Sequence, residues 1–378
     1  MSSSSNYRGI TLGSLFSKMF EQALDARCSP FLDSDHLQFG FKKKTSTSHA
    51  LFVLKNTIDH FTTNRSNVFV AFLDCSKAFD RISHHGLFIK LMERNVPLVY
   101  LLVLMFWHLH MTCRVKWADS YSEEFSVPLG TKQGGVMSPR FFACYVNDMI
   151  VILRKNGIGC HIIRLFVACI LFADDLALMA PSRKALQELM DICFEYCSKF
   201  CLTFNASKSK VMLFGRDNTI AVKPLRLNNT DVEFVSEWKY LGTTIVAGKA
   251  FSFTARIEIT SFYRAANSIL NVLTDAHENV LMSLLYTNCI PIISYACSVK
   301  EYPSSEMTDC NTAINSVIRR IFDLRWRQSV RLLRKISGYK SIYIIFAEAK
   351  NKFLTQAETH SNPVVRYFAS VILSLDAN

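Results

Sequence analysis

The stretch Leu165-Phe-Val-Ala-Cys-Ile-Leu-Phe-Ala-Asp-Asp-Leu-Ala-Leu-Met179 belongs to a long apolar run, Ile163 to Met179, that carries two adjacent acids in its middle. A single helix through it would sink both carboxylates into an apolar cylinder, at steep desolvation cost. Two strands flanking a tight turn leave them at the tip, so the pattern predicts a β-hairpin with Asp174-Asp175 at its turn. Upstream, Val68-Phe-Val-Ala-Phe-Leu-Asp74 is a short, continuous, β-branched and aromatic run. It reads as a buried strand whose last residue is a carboxylate.

Either motif alone is more economically read as an ordinary polar feature, a capping Asp74 or an Asp-Asp turn. Together they suggest metal chemistry. Joining a nucleotide to a primer hydroxyl uses two divalent ions about 3.5 to 4 Å apart, one on the attacking oxygen and one on the leaving group. Mg²⁺ takes one or two protein carboxylates plus substrate phosphates. A strand end and a hairpin tip on neighbouring strands, about 4.8 Å apart, would supply such carboxylates from Asp74, Asp174 and Asp175.

Outward from these elements, helical periodicity covers Leu15 to Leu24 and His49 to Phe61, separated by a basic loop at Gly40-Phe-Lys-Lys-Lys. Leu87 to His110 reads as helix interrupted near Pro97. Cys113 to Trp117 and Glu124 to Pro128 read as paired strands around Asp119-Ser120. A glycine-bearing loop, Gly130-Thr-Lys-Gln-Gly-Gly, precedes a helix expected to start with Ser138 as cap and Pro139 in its first turn, and to run to about Leu153. A helix from Ser182 to about Cys201 and a strand at Lys210 to Phe214 follow. Past Gly242 the texture is helical, at roughly 255–273, 277–289, 306–322 and 330–336, which puts a domain boundary near residue 245.

The chain has 378 residues, half of them hydrophobic, enough for two or three domains with buried cores. Its formal net charge of +12 favours polyanionic partners, nucleic acid ahead of an anionic membrane surface. The N-terminus lacks the apolar stretch of a secretory signal. Twelve cysteines include no C-x-x-C pair, which points to reduced thiols in an intracellular protein, in nucleus or cytoplasm. Val96 to Trp107 is too short for the about 20 residues of a membrane span and reads as a buried helix. Cys193, Cys197 and Cys201, at i, i+4 and i+8, would spread about 12 Å along a helix, too far to share one zinc, and read as core-facing thiols.

Three blocks resemble, in order and spacing, those of a reverse transcriptase: Phe72-Leu-Asp-Cys-Ser-Lys-Ala-Phe-Asp80, Gly130-Thr-Lys-Gln-Gly-Gly-Val-Met-Ser-Pro139 and Leu171-Phe-Ala-Asp-Asp175. The style is similar to LINE-type non-LTR retrotransposons, as are Asn6-Tyr-Arg-Gly-Ile-Thr11, Gln38-Phe-Gly-Phe41, Asn205-Ala-Ser-Lys-Ser-Lys210 and Trp238-Lys-Tyr-Leu-Gly242. The resemblance covers about residues 6 to 245. It implies an α+β fold with right-hand polymerase architecture. Partial fingers would occupy 1–72, a palm of antiparallel sheet plus helices with fingers insertions 73–245, and a helical thumb with a basic C-terminal region 246–378.

Residue by residue, the resemblance implies that Asp74, Asp174 and Asp175 bind two Mg²⁺ ions, or Mn²⁺ in their place, with the Cys75 carbonyl as an extra ligand. Phe79 matches a steric gate that excludes a ribose 2′-hydroxyl, where the plain alternative is a core phenylalanine. Gln133 and Gly134 match a loop touching incoming nucleotide and template, Lys208 a lysine near the triphosphate, and Arg8 a fingers contact to triphosphate or template. Trp238, Tyr240, Leu241 and Gly242 match a primer-gripping hairpin, for which packing at a palm–thumb seam is an equal reading. The partners so implied are an RNA template, a DNA primer or target and deoxynucleoside triphosphates, with no membrane.

Beyond 245 the resemblance thins. Arg319, Arg320, Arg325, Arg327, Arg331, Arg334, Lys335 and Lys340 cluster with one acid, Asp323, and interleaved Trp326 and Tyr339. Such a surface suits a phosphate backbone. Relatives of this type carry an endonuclease and more of the fingers before the block that starts here at Asn6, so the chain resembles a truncated element. Two expectations follow: an RNA-directed DNA polymerase acting in retrotransposition, or an inactive remnant that only binds nucleic acid. A group II intron maturase or a telomerase-like enzyme is a third option, with the Phe-Ala-Asp-Asp and Gly-Thr-Lys-Gln-Gly blocks closer to the LINE style.

Overall fold

The structure is a computed structural model that describes residues 9–216 and 223–376. They gather into two compact units, one of residues 9–46, 69–211 and 223–234 and the other of 47–68, 212–216 and 235–376.

A mixed sheet, most of whose residues fall in the first unit, comprises β1 (Val68–Asp74), β2 (Cys169–Phe172), β3 (Asp175–Ala180), β4 (Lys210–Phe214), β5 (Leu225–Leu227) and β6 (Thr230–Phe234). Their spatial order is β5-β6-β4-β1-β3-β2. β1 is thus interior, which accounts for its unbroken apolar run, with every residue but Asp74 buried. β3 pairs antiparallel with both β1 and β2, as the hairpin reading requires, whereas β4 runs parallel to β6. The helix Ser138–Asn156 buries one face, including Phe142, Tyr145, Met149 and Leu153, and ends where Gly157 takes φ 67° and donates to the Arg154 carbonyl at 3.1 Å. Arg183–Lys199 opens on Ser182, whose Oγ accepts from the Ala185 amide at 3.2 Å.

Four local expectations are corrected here. Met137, and not Ser138, is the N-cap residue, because Ser138 is already the first helical residue. Helix Leu98–Leu109 buries only Leu101 and Leu104. Leu98, Val99, Leu102, Phe106 and Leu109 stay exposed, Phe106 at 66%, so the Val96–Trp107 stretch is a half-exposed apolar helix. Cys193 and Cys197 are buried, but the helix stops at Lys199 and Cys201 turns to φ 58° and lies exposed. The hairpin tip is Ala173-Asp174, since Asp175 already pairs with Phe172 as the first residue of β3. The strand pair at 112–126 does form, closed by a turn at Ala118-Asp119.

The second unit has a core of buried side chains such as Phe262, Met282, Ile293, Ile314 and Ile318. The helices Arg256–Val272, Glu278–Leu284 and Ser304–Ile321 contribute to it. Before them, Glu237–Tyr240, Thr243–Val246 and Ser252–Thr254 form an antiparallel three-stranded sheet that extends past Gly242, where helical texture was expected. Two C-terminal helices, Ile342–Glu358 and Pro363–Asp376, had no counterpart in the sequence reading. They pack with helix Thr47–Thr63, where the Phe52 ring meets Phe353 at 5.2 Å and Phe368 at 6.3 Å. Among the described residues no helix is long and apolar enough to cross a membrane.

Candidate active site

The pairing of β1 with β3 sets Asp74 directly opposite Asp175. The two-residue turn puts Asp174 next to them, with Ala173 at φ 59°, a left-handed conformation that a non-glycine residue holds only under constraint. Asp74 and Asp174 both wall a cavity of about 710 Å³ within the first unit, and Asp175 is exposed and does not line it. The walls also carry Asp80, Lys77, Arg81, Lys132 and Lys208, a mixture of both signs suited to an anionic ligand with its counter-cations. Cys75, also on the wall, feels the carboxylates. Burial first, and then the charges of Asp174 and Asp74, push its thiol up to about 12.

Asp74 is held through its backbone. Its carbonyl accepts from the Asn205 amide at 2.8 Å, and its N–H donates to the Ser209 Oγ at 3.2 Å. The Ser209 hydroxyl, fully buried, donates in turn to the Asn205 carbonyl at 2.8 Å. The Asn205 side chain caps the same loop by accepting from the amides of Ser207 at 3.1 Å and Lys208 at 3.3 Å. This clasp brings Lys208 to the cavity wall. Asn205 and Ser209 had no assigned role in the sequence, although the block Asn205-Ala-Ser-Lys-Ser-Lys210 was the available signal. Ser209→Ala strips a partly buried amide of its acceptor, and chemical denaturation is expected to show a loss of about 1 kcal/mol. An unchanged midpoint would mean that solvent reaches the Asp74 amide.

The remaining wall comes from two loops stitched together. Gly130 donates to the Ile82 carbonyl at 2.8 Å and Thr131 to that of Phe79 at 2.9 Å. Gly130 sits at φ 87°, and a Cβ there would lie 3.0 Å from the Asp80 backbone, so the close approach needs glycine. Gln133 Nε2 donates to Asp80 Oδ1 at 2.8 Å, and the Gln133 carbonyl accepts from the Thr11 amide at 2.8 Å. At Gly134, φ 107°, a Cβ would lie 2.9 Å from the Thr11 carbonyl oxygen. Glu21 accepts from the Val136 amide at 2.6 Å and ties the helix Leu15–Cys28 to the same loop. The Phe79 ring stacks on Phe142 at 4.8 Å and meets Phe41 edge-on at 5.8 Å, with one side left to the cavity. Phe79, Gln133, Gly134 and Lys208 therefore share one cavity with Asp74 and Asp174.

Other expected residues lie elsewhere. Arg8 falls outside the described residues. Trp238 and Tyr240 belong to the hairpin Glu237–Val246 of the second unit, and Leu241 and Gly242 form its two-residue turn at φ 45° and 80°. Tyr295 clamps that tip by donating to the Leu241 carbonyl at 3.2 Å, and a Cβ at Gly242 would meet its ring at 2.9 Å. In the same unit Arg320, Arg325, Arg327, Arg331 and Lys335 are exposed, and Arg319 is half-buried, donating to the Gln328 carbonyl. Arg334 departs from the expected basic surface. It is 9% exposed and donates to Asn311 at 3.2 Å, and burial holds its guanidinium below the usual range.

Among the described residues no three His, Cys, Asp or Glu side chains already form a metal cage. Two hard carboxylates on one polar cavity nevertheless fit a divalent ion that draws the rest of its shell from substrate phosphates.

The sequence matches the family model described as reverse transcriptase (RNA-dependent DNA polymerase) over residues 2–245. Among curated proteins it is 27% identical over 275 residues to a probable RNA-directed DNA polymerase from transposon BS of Drosophila melanogaster, covering 68% of this chain and 29% of that protein. It is 23% identical over 346 residues to the RNA-directed DNA polymerase from the mobile element jockey of the same species, covering 87% of this chain and 36% of the other. The chain thus spans about a third of the length of these relatives. Among solved structures, a telomerase from Candida albicans aligns at a TM-score of 0.46 and 12% identity over 95% of this chain and 56% of that one. The matched segment contains the whole cavity, Asp74 and Asp174 included, and the chain belongs to the reverse transcriptase (RNA-dependent DNA polymerase) family.

Proposed function

We propose that the chain is an RNA-directed DNA polymerase of LINE type. It would add deoxynucleotides to a DNA primer on an RNA template during retrotransposition, inside the cell, in nucleus or cytoplasm. The observation that carries this reading is the meeting of Asp74 and Asp174 on one cavity with Phe79, Gln133 and Lys208.

Asp74 and Asp174 would hold the catalytic ions, two Mg²⁺ or their Mn²⁺ substitutes, with Asp175 alongside. What the ions supply when bound is activation of the primer 3′-oxygen and charge balance on the departing pyrophosphate. The chain's own residues do the rest. Lys208 offsets leaving-group charge and can give a proton to the pyrophosphate. Gln133, tied to Asp80, offers a polar edge to the incoming nucleotide, and the φ 107° backbone at Gly134 lets the loop approach closely. Phe79, fixed by Phe142, sets a wall under the sugar. In this scheme residues 1–72 act as partial fingers, 73–245 as palm and 246–378 as thumb, with Trp238 to Gly242 gripping the primer end.

The reading is tested with purified chain, a labelled DNA primer on an RNA template, four deoxynucleotides and Mg²⁺. A ladder of extended primer is expected. Bound but unextended substrate would favour the second reading, a chain that binds nucleic acid without copying it. That reading rests on the exposed cations of residues 320–335 and on Trp326, 74% exposed with the Arg327 guanidinium 4.5 Å above its ring. Replacing Arg325 or Arg331 by Ala is expected to lower the slope of log affinity against log salt by about 1 each, measured by fluorescence anisotropy. An unchanged slope would take those residues off the phosphate backbone.

A further inference from the structure

The turn that carries Asp174 is seized from outside the sheet by residues 37–40, a segment to which neither the chemistry above nor the sequence assigned a task. β2 is the edge strand, and residues 37–40 lie along it. The Phe39 amide donates to the Leu171 carbonyl at 2.7 Å, and the Leu171 amide donates to the Leu37 carbonyl at 2.9 Å. Gln38 then turns its side chain toward the tip. It is fully buried, and its Oε1 accepts from the Ala173 amide at 3.2 Å and from the Gly40 amide at 2.9 Å. Its Nε2 faces the Ala173 carbonyl at 3.5 Å. Gly40 completes the hold by contact. A Cβ there would drive far into the Ala173 nitrogen and reach 3.0 Å from its Cα, so only glycine lets the segment lie this close.

Ala173 is the residue at φ 59° that precedes Asp174. A two-residue turn with a strained alanine would relax if its amide lost its partner, and the carboxylate one residue on would move with it. We propose that Gln38, seated by Gly40, is a positioning residue that locks the turn in the conformation presenting Asp174 to the cavity. The amide side chain suits the task because it offers an acceptor to two N–H groups and a donor to a carbonyl without adding a charge near the acids. A buried leucine or glutamine side chain fills much the same space, so the difference between them reports the hydrogen bonds. The inference rests on the polymerase reading for its catalytic consequence, but its structural part stands apart from it.

The test compares native chain, Gln38→Leu and Gly40→Ala by hydrogen exchange and by single-nucleotide addition with Mg²⁺. Gln38→Leu is expected to speed exchange at the amides of residues 171–176 while those of residues 69–73, next door in β1, keep their protection. It should also lower kcat by on the order of 10²-fold, the usual consequence of an ångström-scale misplacement, with the KM for deoxynucleotide held. Gly40→Ala pushes on the turn without deleting a side-chain hydrogen bond, and the same local signature is expected from it. Normal exchange at 171–176 in both variants, or a kcat equal to the native value, would overturn the proposal. So would a uniform rise in exchange across the sheet in both, because that marks a general stability role. If native chain extends no primer, the polymerase reading falls while the exchange comparison still decides whether Gln38 locks the turn.

Discussion

Asp174→Asn is expected to slow nucleotide addition by at least about 10³-fold while template–primer binding persists. Asparagine keeps the size of the side chain and one acceptor oxygen but removes the charge. Mg²⁺ is a hard cation that binds through anionic oxygen, and the Lewis-acid assistance it gives is worth several kcal/mol, or about one decade of rate per 1.4 kcal/mol. Asp174 and Asp74 both line the cavity, and the third acid on its wall, Asp80, is already engaged by Gln133 at 2.8 Å. The substitution leaves the exposed cations of residues 320–335 unchanged, so affinity for the nucleic-acid backbone has no reason to fall. Quenched single-turnover extension together with anisotropy separates the two quantities. Loss of binding in parallel with rate would mean that the substitution had unfolded the chain, and a native rate would remove Asp174 from catalysis.

Phe79→Ala is expected to raise the ratio of ribonucleotide to deoxynucleotide kcat/KM by about 10- to 200-fold, the range in which an apolar pocket discriminates between ligands that differ by one methylene or one hydroxyl. The ring stacks on Phe142 and abuts Phe41, so it cannot swing aside to admit a 2′-hydroxyl. Removing it opens that volume without touching Asp74 or Asp174. Competition between labelled ATP and dATP in a single insertion measures the ratio. An unaltered ratio with reduced stability would make Phe79 a packing residue only.

The parts of this site that were legible in the sequence are those where local pattern and chemistry coincide. β1 is interior, so its apolar run had a clear strand reading to its last residue, Asp74. The hairpin was legible because two acids cannot sit in an apolar helix, yet its tip was misplaced by one residue. Sequence favours Asp-Asp as the turn, whereas the pairing of Phe172 with Asp175 makes Ala173 adopt φ 59° instead. The clasp of Asn205 and Ser209 on Asp74, and that of Gln38 on Ala173, depend on residues more than a hundred positions apart, and no periodicity encodes such contacts. Arg334 shows the same limit at the basic stretch. It reads like its neighbours, and only tertiary packing on Asn311 and Tyr286 buries it. The exposed apolar helix Leu98–Leu109 failed for the opposite reason, since composition marks a side chain as apolar without saying that anything covers it.

The claim at the centre is that Asp74 and Asp174 support metal-dependent nucleotidyl transfer on an RNA template. It is tested most directly by the rate of single deoxynucleotide addition to a DNA primer as Mg²⁺ is titrated, for the native chain and for Asp74→Asn. Addition is expected to rise with Mg²⁺ and saturate, to disappear with chelator, and to be lost in Asp74→Asn at every Mg²⁺ concentration. Native chain that binds the template–primer yet adds no nucleotide at any Mg²⁺ concentration, or Asp74→Asn that adds it at the native rate, would rule out catalysis by this pair of carboxylates.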